Sequence, residues 1–123
     1  MSAKALILFA HGARDPRWKA PFEQLQQLSS AALPHTIVRL AFLELMTPQL
    51  PETIAALVAD GCADVTIVPV FLGQGGHVLR DLPLLIDELR TAYPTLDIKV
   101  AAAVGESPTV LQAIAGYCIA SIA

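Results

Sequence analysis

Ala5-Leu-Ile-Leu-Phe-Ala10, held between Lys4 and His11-Gly12, is an unbroken apolar run. Its length and its lack of alternation predict a strand covered on both faces, as strands inside a parallel sheet are. Thr36–Leu43 and Val65–Leu72 read the same way, the second being the most β-branched. Asp97–Val104 is a fourth, weaker run. Pro69 cannot donate to a ladder, so it belongs at a strand end or a bulge. Helical spacing fills the gaps. Phe22, Leu25 and Leu28 mark one face near residues 19–33. Leu50, Ile54, Leu57 and Val58 mark another near 50–60, with Gly61 as its stop. Leu82, Leu85, Ile86 and Leu89 repeat at about 3.6 residues, and Pro94 closes that element. Ser107-Pro108 reads as an N-cap followed by proline at the first helical position. The helix it opens runs towards Ile122 and is apolar nearly all round. Strand and helix thus alternate four times. That pattern predicts an α/β fold: a three-layer α/β/α sandwich around a four-stranded, mostly parallel sheet.

The chain of 123 residues fits one domain spanning 1–123. It is 54% hydrophobic and 15% charged, so it folds, and it is more apolar than a small monomer needs. Some apolar surface is therefore expected to meet a partner. The net charge of -3 implies no general attraction to nucleic acid or to acidic membranes. Cys62 and Cys118 have no CxxC spacing, which excludes a zinc knuckle or a thioredoxin motif. Both are expected as small buried hydrophobes in a reducing, cytoplasmic setting. The run Ala5–Ala10 is too short and too early for a signal peptide. The uncharged stretch Ser107–Ala123 holds Ser, Thr, Gln, Pro and Gly, which argues against a membrane span.

Open parallel sheets bind ligands beyond the carboxyl ends of their strands. His11-Gly12-Ala13-Arg14-Asp15-Pro16 follows the first strand, Glu44 the second, Gly73-Gln74-Gly75-Gly76-His77 the third and Gly105-Glu106 the fourth. His35 precedes the second strand and belongs to the opposite edge. Two imidazoles and a carboxylate on one edge suit a divalent transition metal with open coordination positions. Taken singly, a histidine there is ordinarily a hydrogen-bonded loop residue, and Glu44 a solvated end residue. Their coincidence on one edge favours a site. The glycines at 73, 75 and 76 allow close approach of a flat ligand or simply make a turn; they match neither the Walker A nor the dinucleotide fingerprint. Arg14, Arg17, Lys19 and Arg80 gather beside the histidines. They either bind an anionic substrate or pair locally with Asp15 and Asp81.

Three segments carry a resemblance: Leu8-Phe-Ala-His-Gly-Ala-Arg14, Phe42-Leu-Glu-Leu-Met-Thr-Pro48, and Val68-Pro-Val-Phe-Leu-Gly-Gln-Gly-Gly-His-Val-Leu-Arg-Asp-Leu-Pro83. Across essentially its whole length the chain resembles the small, single-domain sirohydrochlorin cobaltochelatases of the CbiX type. The resemblance implies a chelatase-like fold and ATP-independent insertion of a divalent metal into sirohydrochlorin. It implies no permanent cofactor: Co2+, or Fe2+ or Ni2+, is a substrate. It makes His11 proton acceptor and metal ligand and His77 a second ligand; Glu44 joins the catalytic group on the strand-end reading. Substrate contacts fall on Leu72, Gly73, Gln74, Gly75, Gly76 and His77, with Thr47, Arg14 and Arg80 beside them. Relatives can carry an acid where this chain has Thr47, and Ala13 stands where a serine is common. Larger members carry two such domains facing each other, so a homodimer is expected here, with Val110–Ile122 as its contact surface or else as core. A neutral imidazole, with an ordinary pKa near about 6.5, accepts a proton or holds a metal at neutral pH. A carrier of metal or tetrapyrrole without turnover, and a flavodoxin-like nucleotide binder, are the alternatives. The fold by itself does not choose among them.

Overall fold

A computed structural model describes residues 3–123 apart from Gln74, and the side chains of His77 and Leu79 lie outside the description. Its strands are β1 Ala3–Ala10, β2 Thr36–Phe42, β3 Cys62–Pro69 and β4 Asp97–Val100. Its helices are α1 Ala20–Ala32, α2 Leu50–Ala59, α3 Gly76–Ala92 and α4 Pro108–Ala120. Short 3-10 helices at Pro16–Lys19 and Val104–Glu106 precede α1 and α4. The sheet order is β2-β1-β3-β4, and every pairing is parallel. The mostly parallel sheet read from the sequence is therefore parallel throughout.

Two strands differ most from the sequence reading. β3 starts at Cys62 and stops at Pro69 rather than running from 65 to 72. Proline has no N–H to offer, so the ladder ends where it stands. β4 is four residues long and breaks off at Val100. Beyond it the chain stays tied to β3 through the Ala101 N–H, which donates to the Ile67 carbonyl (2.9 Å).

The layers follow from burial. Ile7, Phe9, Val65 and Ile67 point to one side, where Leu50, Ile54 and Leu57 of α2 and Val78, Ile86 and Leu89 of α3 meet them. Leu8 and Ala10 point to the other, with Val38, Leu40 and Phe42 of β2. Trp18, Phe22 and Leu25 from the start and middle of α1 close that side. Leu28, read as part of the same helical face, is 71% exposed, because α1 runs past the apolar strip there. Cys62 is buried as expected, but Cys118 is exposed. The reason is the placement of α4. Its residues are exposed apart from half-buried Val110, and among the described residues α4 packs substantially only on the short helix before it. The alternative of core for Val110–Ile122 is thereby overturned. No helix among the described residues is long and apolar enough to cross a membrane.

Removing Leu57, which is almost completely buried, should therefore be expensive. We expect Leu57→Ala to lower the unfolding free energy in urea by about 2–5 kcal/mol, and Leu28→Ala to change it by less than about 0.5 kcal/mol.

Candidate functional site

In the strand order β2-β1-β3-β4 the connections reverse direction between β1 and β3, the switch point at which open α/β sheets hold ligands. The register pairs Ala10 with Phe42 and Phe9 with Pro69, so three strands run out at one level. His11 is the first residue beyond β1. Glu44 stands two residues beyond β2.

Three backbone hydrogen bonds fasten these exits together. The Leu43 N–H donates to the Ala10 carbonyl (2.9 Å), the Glu44 N–H to the His11 carbonyl (3.1 Å) and the Val70 N–H to the Phe9 carbonyl (2.8 Å). Gly12 completes the first exit with φ of 101°. A Cβ at this residue would drive into the Glu44 carbonyl oxygen. Glycine is thus required twice, for its backbone conformation and for the room it leaves. The Glu44 carbonyl also accepts from the Met46 N–H (2.8 Å), and Leu45 between them takes a positive φ of 66°.

The closeness of the two loops brings side chains together. His11 Nε2 lies 3.1 Å from Glu44 Oε1, with the two side chains 42% and 46% exposed. An ionised carboxylate only accepts. With a neutral imidazole the proton of this bond therefore sits on Nε2, and the free lone pair is on Nδ1. A carboxylate that orients a ring in this way fixes its tautomer. The pair is too exposed to add more than about 1 kcal/mol to stability, so its importance is chemical. Phe71 supports the ring from beneath, 6.2 Å between centroids at 69°, and packs in turn on Phe9 at 5.8 Å.

The third exit is held from the fourth. The Gly105 N–H donates to the Phe71 carbonyl (2.9 Å), and a Cβ on Gly105 would run into the Leu72 carbonyl. Leu72 and Gly73 are exposed on this loop, and Gly75 caps α3. Gly76 and His77 open that helix, which puts the His77 backbone beyond the exit of β3, the strand neighbouring β1; its side chain, like all of Gln74, lies outside the described residues. Among the described residues no three of His, Cys, Asp and Glu gather to hold a metal. The arrangement seen is the His11–Glu44 pair.

Of the cations, Arg17 is paired. It makes a forked contact to Asp15, 2.7 Å at its shortest, and donates its backbone N–H to the same carboxylate (2.9 Å). Those hydrogen bonds hold the Asp15 carboxyl below its ordinary range, so the contact persists as the pH falls towards that range. For Arg17 the local pairing weighed from the sequence is the outcome. The Lys19 ammonium sits 5.8 Å from the Phe42 ring centroid. Arg14 and Arg80 are exposed. Thr47 is exposed beside a cis peptide to Pro48, and His35 lies exposed before β2, at the opposite edge. The sequence reading did not single out Phe71, Leu45 or the packing roles of Gly12 and Gly105. A glycine straight after a strand-end histidine is the one local signal that pointed there. Leu45 and Leu72, 54% and 66% exposed, add an apolar rim to the edge.

Gly12 and Gly61 separate strain from collision, since nothing stands near a Cβ at Gly61 although its φ is 86°. Gly61→Ala should cost about 1 kcal/mol in urea unfolding. Gly12→Ala should cost about 2–3 kcal/mol and, unlike Gly61→Ala, should move the His11 ring resonances in a proton NMR spectrum.

Comparisons with known proteins bear on the family and the fold. The family model CbiX matches residues 5–117. A sirohydrochlorin cobaltochelatase of Methanococcus aeolicus is 34% identical over 83 residues, 68% of this chain and 58% of that protein. The chain thus spans little more than half the length of that relative. One from Saccharolobus solfataricus is 30% identical over 103 residues, 80% of this chain and 78% of the relative. Among solved structures, a cobalamin (vitamin B12) biosynthesis CbiX protein from Marinobacter aquaeolei superposes with a TM-score of 0.85 at 28% identity, covering 97% of both chains. The sirohydrochlorin chelatase SirB from Bacillus subtilis subspecies spizizenii, in complex with cobalt, shares the fold with a TM-score of 0.79 at 23% identity, over 93% of this chain and 49% of SirB. With the matched model spanning nearly all of the sheet and every helix start, the chain belongs to the CbiX family.

Proposed function

We propose that this chain is a sirohydrochlorin metal chelatase, inserting a divalent cation into the macrocycle without ATP. The observation that carries the reading is the His11–Glu44 pair at 3.1 Å on the switch-point edge. Family membership and the cobaltochelatase relatives support it. Co2+ is the first choice of metal, with Fe2+ and Ni2+ as further substrates, since imidazole and carboxylate accept all three. No resident cofactor takes part.

Insertion exchanges two pyrrole N–H protons for one metal ion, so protons must leave as the metal enters. His11 accepts one at its open nitrogen, Glu44 stabilises the imidazolium that results, and the other proton passes to solvent. His11 also meets the incoming metal while neutral, and His77 is the second ligand. Leu45 and Leu72 offer apolar contact to the face of the ring, and the glycine turn Gly73, Gln74, Gly75 and Gly76 lets the backbone approach it. The carboxylates of sirohydrochlorin meet Arg14 and Arg80, with Thr47 at the rim. Arg17, tied to Asp15, contributes little. The enzyme works in the cytoplasm as a homodimer.

Purified chain mixed with sirohydrochlorin and Co2+ should change the visible spectrum of the macrocycle faster than the uncatalysed mixture. Tight binding of either partner without acceleration would make the protein a carrier instead. His11→Ala should remove the acceleration. Glu44→Gln keeps a hydrogen-bonding side chain but loses the charge, and should lower the rate about 10- to 100-fold. His77→Ala should weaken Co2+ binding measured by calorimetry, and unchanged affinity would remove it from the ligand set.

A further inference from the structure

Among the described residues Leu45 is the only one besides glycine with a positive φ, 66°. It stands at the centre of a three-residue turn, in which the Met46 N–H donates to the Glu44 carbonyl (2.8 Å). Three-residue turns with a positive φ at their centre are rare and strained. Glycine adopts that φ freely and asparagine tolerates it, whereas a bulky apolar residue is an outlier there.

The turn itself has a clear cause. The Phe42 N–H donates to the Pro48 carbonyl (2.9 Å), which closes the loop after β2. The Glu44 N–H is held by the His11 carbonyl (3.1 Å). Leu43 packs on one core cluster and Met46 on the other. A chain fixed at Glu44 and at Met46 has to reverse between them. That accounts for the φ but not for the leucine. Leu45 is 54% exposed and joins neither core cluster, so no packing within the fold offsets its strain. Strain of this kind persists at ligand sites, where the surrounding structure holds it in place.

We infer that Leu45 sets the affinity for the macrocycle, its strained turn keeping an apolar side chain in solvent beside the His11–Glu44 pair. The inference rests on the chelatase reading above and names the residue on which ring affinity depends. In the strand order β2-β1-β3, His11 leaves the middle strand, with Leu45 beyond the exit of one neighbour and Leu72 beyond the other. Apolar side chains therefore flank the reactive pair on both sides. A flat macrocycle with its carboxylates at the periphery presents an apolar face to such a pair. The turn is fixed before the ring arrives, so little further ordering opposes the contact. Covering about 60 Å² of the exposed leucine is worth about a factor of 10 in affinity.

Leu45→Asn and Leu45→Gly both suit the turn and both remove the apolar contact. In the full chain the urea midpoint of each should equal or exceed that of the native protein. Titration of metal-free sirohydrochlorin, followed by its own fluorescence, should show Kd raised about 10-fold in each. With Co2+ present, KM for sirohydrochlorin should rise by a similar factor while kcat stays within about 2-fold, as for a contact made equally before and during reaction. Leu45→Met, which keeps an apolar side chain, should restore most of the affinity. Calorimetric Co2+ affinity should be unchanged in all three. Unchanged Kd in Leu45→Asn and Leu45→Gly would overturn the inference. So would a midpoint lowered as far as in Leu57→Ala, which would make Leu45 a packing residue, or a loss of Co2+ affinity equal to the loss for the ring, which would mean that the His11 loop had been disturbed. Acceleration by the native chain with affinity unaltered in the variants would remove the role of Leu45 alone. A native chain that neither binds nor metallates sirohydrochlorin would remove the chelatase reading and this inference with it.

Discussion

The Glu44 carbonyl fills the space that a side chain on residue 12 would need. Everything on the functional edge depends on that contact. Because Gly12 has no Cβ, the loops leaving β1 and β2 lie against each other, and the Glu44 N–H reaches the His11 carbonyl. With the backbones this close, the two side chains meet without either leaving solvent altogether. A larger residue at 12 would part the loops and separate imidazole from carboxylate, although neither reactive residue had changed.

The same device recurs on the other flank of the switch point. Gly105 lets the loop after β4 press on the Leu72 carbonyl, so the segment leading to His77 is braced by its neighbour. The parallel sheet supplies the rest. All four strands run in one direction, their exits collect on one edge, and residues far apart in the chain become neighbours there. Phe71 links core to site, since it packs on Phe9 below and on His11 above.

Burial is uneven, and the unevenness has meaning. Phe9, Ile7 and Ile67 are sealed, whereas α4 exposes apolar side chains along its length. An isolated chain gains nothing from that exposure.

Much of this was legible in the sequence. The four apolar runs, the helical spacings of α2 and α3 and the Ser107 cap all report periodicity and local capping, which depend on residues a few positions apart. The placement of His11 and Glu44 beyond strand ends followed from the same reading, and so did the parallel α/β class. The strand ends at Pro69 and Val100, the exposure of Leu28 and Cys118, and the pairing of Arg17 with Asp15 required the packed chain. The sequence by itself determined the order of elements and the edge on which the chemistry lies. Only the tertiary structure decided that His11 holds Glu44 rather than solvent, that Gly12 makes room for it, and that α4 stays out of its own core. Those outcomes rest on distances across the fold, 33 residues apart for the His11–Glu44 bond, and no local pattern encodes them.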